Sequence, residues 1–242
     1  MKLQNPITYY KDLRPHNLTS KKYRHLFLLL FWPVFGAVFF SLEKLVPVVY
    51  KAITGSELVY HEVVWWLDAY IPLCEWFVIP YYFWFALLIG MVAWGLLFDI
   101  RAFRHYMWFI ILSYSVTVII YAVWPNAQGL RPETFPRDNW MIDIIKGLYS
   151  FDTNTNVCPS IHVLGSFAAG LAGLHSKVLR GWGWKLFFVL NIVLISISTV
   201  FMRQHSILDV FAALVLCAIC YPLVYRVICN PKKEQALYGQ ES

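Results

Sequence analysis

His205 and Asp209 stand four residues apart in Arg203-Gln204-His205-Ser206-Ile207-Leu208-Asp209. That spacing puts two side chains on one face of a helix, one turn from each other. A carboxylate so placed accepts a hydrogen bond from one ring nitrogen and fixes the tautomer. The other nitrogen is then a nucleophile, and the carboxylate stabilises the imidazolium that forms. The same spacing serves a structural pair that ties down a helix end, and alone it does not choose between the two. Upstream, Cys158-Pro159-Ser160-Ile161-His162 reads as a helix start, with Asn154 and Asn156 as turn residues and Pro159 suited to the first turn. Backbone N–H groups at such an end, with the Ser160 hydroxyl, form an anion site beside which His162 can protonate a departing oxygen. Taken alone, His162 also has the bland reading of a hydrogen-bonded structural histidine. Arg131, followed by Pro132, and Arg203 offer the planar fork that grips phosphate oxygens, although an isolated loop arginine is ordinarily just solvated.

The elements that carry these residues belong in a bilayer. Of 242 residues, 59% are hydrophobic and only 14% charged, against about 25% charged in a soluble globular domain. Six apolar blocks read as membrane helices, at residues 26–42, 77–98, 106–124, 162–176, 186–202 and 207–227. The reading is therefore all-α, a six-helix bundle, with a basic cytoplasmic segment over 1–25, a membrane domain over 26–229 and a cytoplasmic tail over 230–242. No cleavable leader is expected, because the first 25 residues lack a short apolar core before a small-residue site. In the fourth block Gly165, Ser166, Ala168, Ala169, Gly170, Ala172 and Gly173 make a smooth face on which a neighbouring helix packs closely.

The net charge of +6 is spread by loop, which points to topology and excludes a nucleic-acid partner. With the N-terminus inside, Lys2, Lys11, Arg14, Lys21, Lys22, Arg24, Arg101, Arg104, Lys177, Arg180, Lys185, Arg226, Lys232 and Lys233 are cytoplasmic. Only Lys44, Lys51, Arg131, Arg137, Lys146 and Arg203 fall outside, in longer loops. Both termini are thus expected in the cytoplasm of a multi-pass protein of the cell membrane, with His162, His205 and Asp209 at the outer face. The outer loops 43–76 and 125–161 mix charge with aromatic runs such as Trp65-Trp66, as half-buried interfacial segments do. The five cysteines have no disulfide-like spacing, and Cys217-x-x-Cys220 reads as small apolar filler.

The ordered set Arg131-Pro132, Pro159-Ser160-Ile161-His162, then Ser198 with His205 and Asp209, resembles the three motifs of the type-2 phosphatidic acid phosphatase superfamily. Those motifs are a Lys seven residues before Arg-Pro, Pro-Ser-Gly-His, and Ser-Arg followed by five residues, His, three residues and Asp. The resemblance implies a metal-independent lipid phosphatase without cofactor. His205 would be the nucleophile that becomes phosphohistidine, Asp209 its orienting partner and His162 the general acid. Arg131, Ser160 and the Ile161 backbone would hold the phosphate.

Three positions depart from the pattern: Trp124 replaces the lysine, Thr199 the third-motif arginine and Ile161 the glycine. A basic residue two before the last histidine resembles the inositol-phosphorylceramide-synthase-like branch, and Arg203 is expected to replace the arginine missing at Thr199 from one helical turn away. The first functional reading is hydrolysis of a phosphomonoester or diphosphate lipid in the bilayer. A lipid phosphotransferase is the alternative, and a non-catalytic lipid-phosphate binder or flippase is the reading of another class. Two histidines and a carboxylate also match a facial metal triad, which the surrounding positive groups oppose.

Overall fold

Asn5, Asp99, Asn139 and Ser206 each stand just ahead of a helix and accept hydrogen bonds from its first N–H groups. Polar caps thus set the starts of segments whose interiors are largely apolar. The computed structural model describes residues 4–238. Residues 1–3 and 239–242, the outermost parts of the two expected cytoplasmic segments, lie outside the described residues.

In chain order the helices are α1 (Pro6–Tyr10), α2 (Phe31–Phe40), α3 (Val46–Thr54), α4 (Val78–Phe98), α5 (Ile100–Val123), α6 (Trp140–Phe151), α7 (Ile161–His175), α8 (Trp182–Phe201), α9 (Ile207–Pro222) and α10 (Pro231–Tyr238). The only strands among the described residues are the two-residue β1 (His61–Glu62) and β2 (Asn126–Ala127). They pair in parallel, His61 with Asn126 and Glu62 with Ala127, and so tie the segment ahead of α4 to the one that follows α5.

Five helical runs are long and apolar enough to cross a membrane: Arg24–Thr54, Glu75–Phe98, Ile100–Val123, Trp182–Phe201 and Ile207–Ile228. The chain is an all-α membrane protein. Its fourth apolar block is the shorter α7 of 15 residues.

Two block boundaries move for clear reasons. The first block does not stop at residue 42 where Glu43 and Lys44 interrupt it, because a π-helical turn over Ser41–Leu45 carries the helix on to Thr54, where Gly55 takes the left-handed φ of 71° and ends it. The third begins six residues before Tyr106, since Asp99 caps α5 by accepting from the Ala102 N–H at 3.0 Å. Arg104 and His105 are therefore buried helix residues rather than loop charges.

α7 lies at the centre of the packing, with most of its residues buried. A Cβ on Gly170 would overlap Ile192, and one on Gly173 the Phe188 ring. Gly165 would bring it within 2.6 Å of the Tyr114 hydroxyl and 2.8 Å of Trp84 Nε1. The smooth face thus admits α8 on one side and α4 and α5 on another. Close packing of this kind holds helices together where lipid removes the hydrophobic drive. α6 folds over the end of the bundle, seating Met141, Ile142, Ile145 and Leu148 against Val78, Tyr81 and Met202. Cys217 and Cys220 are buried in the main core.

Candidate active site

Three segments meet beneath α6. The first is the α7 start, which carries His162 as its second residue. The path into it is fixed by Asn126, wholly buried and using both ends of its amide: Oδ1 accepts from the Val157 and Cys158 N–H groups at 2.9 and 2.8 Å, and Nδ2 donates to the Cys158 carbonyl at 3.1 Å. The Tyr121 hydroxyl donates to the Pro159 carbonyl at 2.6 Å and the Tyr114 hydroxyl to that of Ile161 at 3.0 Å. The Cys158–Pro159 peptide is cis. Two α5 tyrosines and one asparagine thereby set the depth and direction of α7.

The second segment is the turn from α8 into α9. Gln204 and His205 both donate their N–H to the Thr199 carbonyl, at 3.0 and 3.1 Å, and the Gln128 amide donates to the Arg203 and Gln204 carbonyls at 3.0 and 3.2 Å. His205 precedes the helix, Ser206 is the N-cap and Asp209 closes the capping box. The expected same-face pair is thus a residue ahead of the helix with one in its first turn, and contact survives: His205 Nδ1–H donates to Asp209 Oδ2 at 3.1 Å. The same oxygen accepts the Ser206 N–H at 3.0 Å, and the Asp209 carbonyl accepts the Ser160 N–H at 3.2 Å, which joins the two segments.

The His162 and His205 rings face each other edge to face with centroids 5.6 Å apart. His162 also lies against Tyr81 and Trp84 of α4, at 4.6 and 4.4 Å between centroids. Ser160 Oγ and His162 Nδ1 are buried and make no hydrogen bond among the described residues. Cys158 lies beside Asp209, and burial first, then that carboxylate, push its thiol up to about 12, so it is no thiolate nucleophile. Ile161 is the first residue of α7, and the Ser160 side chain makes no cap bond to the helix start.

The third segment is the loop gripped by Arg131. Its Nη1 donates to the carbonyls of Tyr149 and Asp152 at 3.1 and 2.9 Å, and its Nη2 to that of Thr153 at 2.8 Å and to Gln204 Oε1 at 2.6 Å. The guanidinium also stacks over the Tyr149 ring at 4.6 Å. Its two terminal nitrogens are therefore spent on the frame around Gln204 and His205, and its buried Nε has no hydrogen-bond partner among the described residues. Burial pushes the Asp152 carboxyl above its usual range, against the opposing charge of Arg131.

Arg203 corrects the expectation that it shares a helical face with Thr199. α8 ends at Phe201, and Arg203 adopts a left-handed φ of 52°. Its Nη1 donates to the Asp68 carbonyl at 2.8 Å, while Thr199 is buried with its hydroxyl on the Ser196 carbonyl. The unwinding that frees two N–H groups for the Thr199 carbonyl is what separates the two positions.

Two site residues escaped the sequence reading. Asp68, 1% exposed, accepts from Ser206 Oγ at 2.6 Å and the Ile207 N–H at 2.9 Å. Glu43 on the π-helical turn accepts the Thr153 hydroxyl at 2.7 Å, beside the carbonyl held by Arg131. Both are carboxylates in apolar stretches, the signal that picked out Asp209.

Elsewhere, His105, Cys229 and Glu234 have donor atoms within 4.8 Å of one another, a metal-like grouping among the described residues. Arg104 and Arg101 reach the same carboxylate at 3.1 and 3.4 Å, so the group is an ion cluster whose charge opposes a cation. An apolar cavity of about 200 Å³ between α4 and α8 is lined by residues such as Gly90, Met91 and Phe187 and touches neither site histidine. No family model, curated protein or solved structure matches the chain.

Proposed function

We propose that the protein is a membrane-embedded lipid phosphatase that works through a phosphohistidine on His205. The observation that carries this reading is the 3.1 Å bond from His205 Nδ1–H to Asp209 Oδ2, with the His162 ring 5.6 Å away on the side facing His205. Nδ1 is engaged, so Nε2 is the nucleophile. It attacks phosphorus, the P–O bond to the lipid breaks, and His162 gives its proton to the departing oxygen. Asp209 stabilises the imidazolium of the substituted ring. Water then attacks phosphorus, His162 takes its proton, and the P–N bond breaks to release inorganic phosphate and free His205.

The phosphate oxygens fall to the Ser160 hydroxyl and the free N–H groups that open α7, Ile161 among them. Arg131 contributes positive charge through the loop it holds rather than a fork on the substrate, and Arg203 serves the turn. In this reading α7 is a sixth, short span, both termini are cytoplasmic, and the site opens at the outer interface where a lipid headgroup lies, as the loop charges favour. The second half-reaction accepts an alcohol as readily as water in chemical principle, which makes a lipid phosphotransferase the neighbouring reading.

The test is purified protein with a panel of lipid phosphates and diphosphates, measuring free phosphate and any phosphorylated alcohol. Turnover that survives chelator and stops with vanadate is expected. Loss of turnover on chelation, or no product from any member of the panel, overturns the proposal.

A further inference from the structure

We propose that Asp68 is a positioning residue: it sets the angle of the His205 ring by holding the chain on both sides of it. The proposal rests on the reading of His205 as nucleophile. Asp68 sits in a 3₁₀ turn, Trp66–Tyr70, in the first outer loop, far in sequence from the residues it binds. Its main-chain carbonyl takes the Arg203 guanidinium at 2.8 Å, two residues before the histidine. Its carboxylate takes the Ser206 hydroxyl and the Ile207 N–H, one and two residues after it, at 2.6 and 2.9 Å. A third carboxylate bond, from the Trp65 N–H to Oδ2 at 2.8 Å, and two main-chain bonds, from the Asp68 N–H to the Trp65 carbonyl at 2.9 Å and from the Ile71 N–H to the Asp68 carbonyl at 3.2 Å, hold Asp68 to its own turn. The grip is therefore referenced to a different element from the one that carries His205.

A helix cap alone does not need this. Ser206 already caps α9 by accepting the Leu208 N–H at 3.1 Å. By accepting the hydrogen bond of the Ser206 hydroxyl, Asp68 leaves the oxygen's lone pair turned toward the Leu208 N–H. It also leaves Asp209 Oδ2 free for the Ser206 N–H and His205 Nδ1–H. Two buried carboxylates thus divide the donors around one turn: Asp209 takes those of His205 and the Ser206 main chain, Asp68 the hydroxyl, the next amide and the arginine. An amide at position 68 breaks the division, because its NH₂ would face a donor wherever it turned, Ile207 N–H on one side or Trp65 N–H on the other. His205 lies ahead of the helix, so its ring direction depends on the backbone of residues 203–207, and that is the stretch Asp68 spans.

The test uses the full chain in detergent micelles, labelled with ¹⁵N-histidine, with the His205 signals identified by their loss in His205→Asn. The parent is expected to hold one His205 tautomer, protonated at Nδ1. Asp68→Asn and Asp68→Ala should give a mixture of tautomers, and per folded molecule should lower kcat on a lipid phosphate by about 10–100-fold with KM within about twofold, the pattern of a misaimed group with intact substrate binding. Ser206→Ala, which keeps the Ile207 bond, should lower kcat by less than either. Asp68→Asn with the parental His205 spectrum and kcat within twofold overturns the proposal, whether or not Asp68→Ala folds. A parent inactive on every lipid phosphate would sink the phosphatase reading, and the tautomer spectra would still decide the role of Asp68.

Discussion

At one end of α5, His105 shares the Glu234 carboxylate of α10 with Arg104 and Arg101. Beyond the other end, His205 shares Asp209 with a main-chain N–H. Each centre is buried and each pairs a histidine with a carboxylate, yet their accounts of charge differ. Around Glu234 two guanidinium groups and an imidazole lie within 3.7 Å of one carboxylate, so its capacity is used up in fastening the C-terminal helix. Around Asp209 the neighbouring Ser160 Oγ and His162 Nδ1 keep hydrogen-bonding capacity that no described residue uses. A buried His–carboxylate pair is thus a fastening when the cations outnumber the acceptors. It can serve chemistry when no guanidinium claims the carboxylate and a second histidine lies beside the first.

The largest expected contrast is between the two histidines. His205→Ala should lower lipid phosphate turnover by several orders of magnitude while the protein stays folded, since a covalent nucleophile has no substitute. His105→Ala should keep turnover within a few-fold and instead lower the melting temperature. Comparable turnover in the two variants would erase the distinction. Next, His162→Ala should be severely impaired on a lipid alkyl phosphate but much less on a nitrophenyl phosphate, whose leaving oxygen needs little protonation. An equal deficit on both would remove the acid role.

A smaller effect belongs to the fastening. Glu234→Gln at neutral pH should cost about 1–3 kcal/mol of stability, the worth of hydrogen bonds to a charged buried group. Burial raises the Glu234 carboxyl, but His105 and Arg104 outweigh it and leave the group below its usual 4.5. Its contribution is therefore full above that value and fades as pH falls through the lower folded one. The gap in thermal midpoint between parent and variant should close as pH drops from 6 toward 3, and a gap independent of pH would contradict the ion cluster. Smallest is Arg203→Ala, which loses one bond to the Asp68 carbonyl. Turnover should fall by less than about tenfold, and adding Thr199→Arg should not restore it, because Thr199 is buried and its side chain points into α8. Rescue by that pair would revive the idea of a relocated arginine.

Much of this was legible in the sequence. His162, His205 and Asp209 stand out as ionisable residues at the margins of apolar runs, and the small-residue face of α7 foretold the close approach of its neighbours. The rest was hidden for physical reasons. Arg203 has no intrinsic leaning toward a positive φ, so the unwinding at the end of α8 leaves no mark in composition, and a continuous helical path was the natural extrapolation. Arg104 and His105 look like loop charge until Asp99 is known to start the helix before them. Asp68 carried the right signal, a carboxylate between Trp66 and Tyr70, but in a stretch read only as an interfacial loop. Asn126 gives no signal at all, since its fourfold engagement exists only once residues 124 and 157–158 have come together.

The helical run Arg24–Thr54 is barely covered by the rest of the protein, with only 6% of its most apolar window buried. From Arg24 to Glu43 it advances roughly 30 Å, about the thickness of the hydrocarbon layer. Set across a bilayer, such a run would act as a gauge between its basic foot and Glu43, which is bonded to Thr153. A bilayer thicker or thinner than this length must tilt the run or shift Glu43, and with it the loop that Arg131 holds against His205's neighbour Gln204. Turnover should then follow the acyl-chain length of the surrounding lipid, with an optimum where gauge and membrane agree.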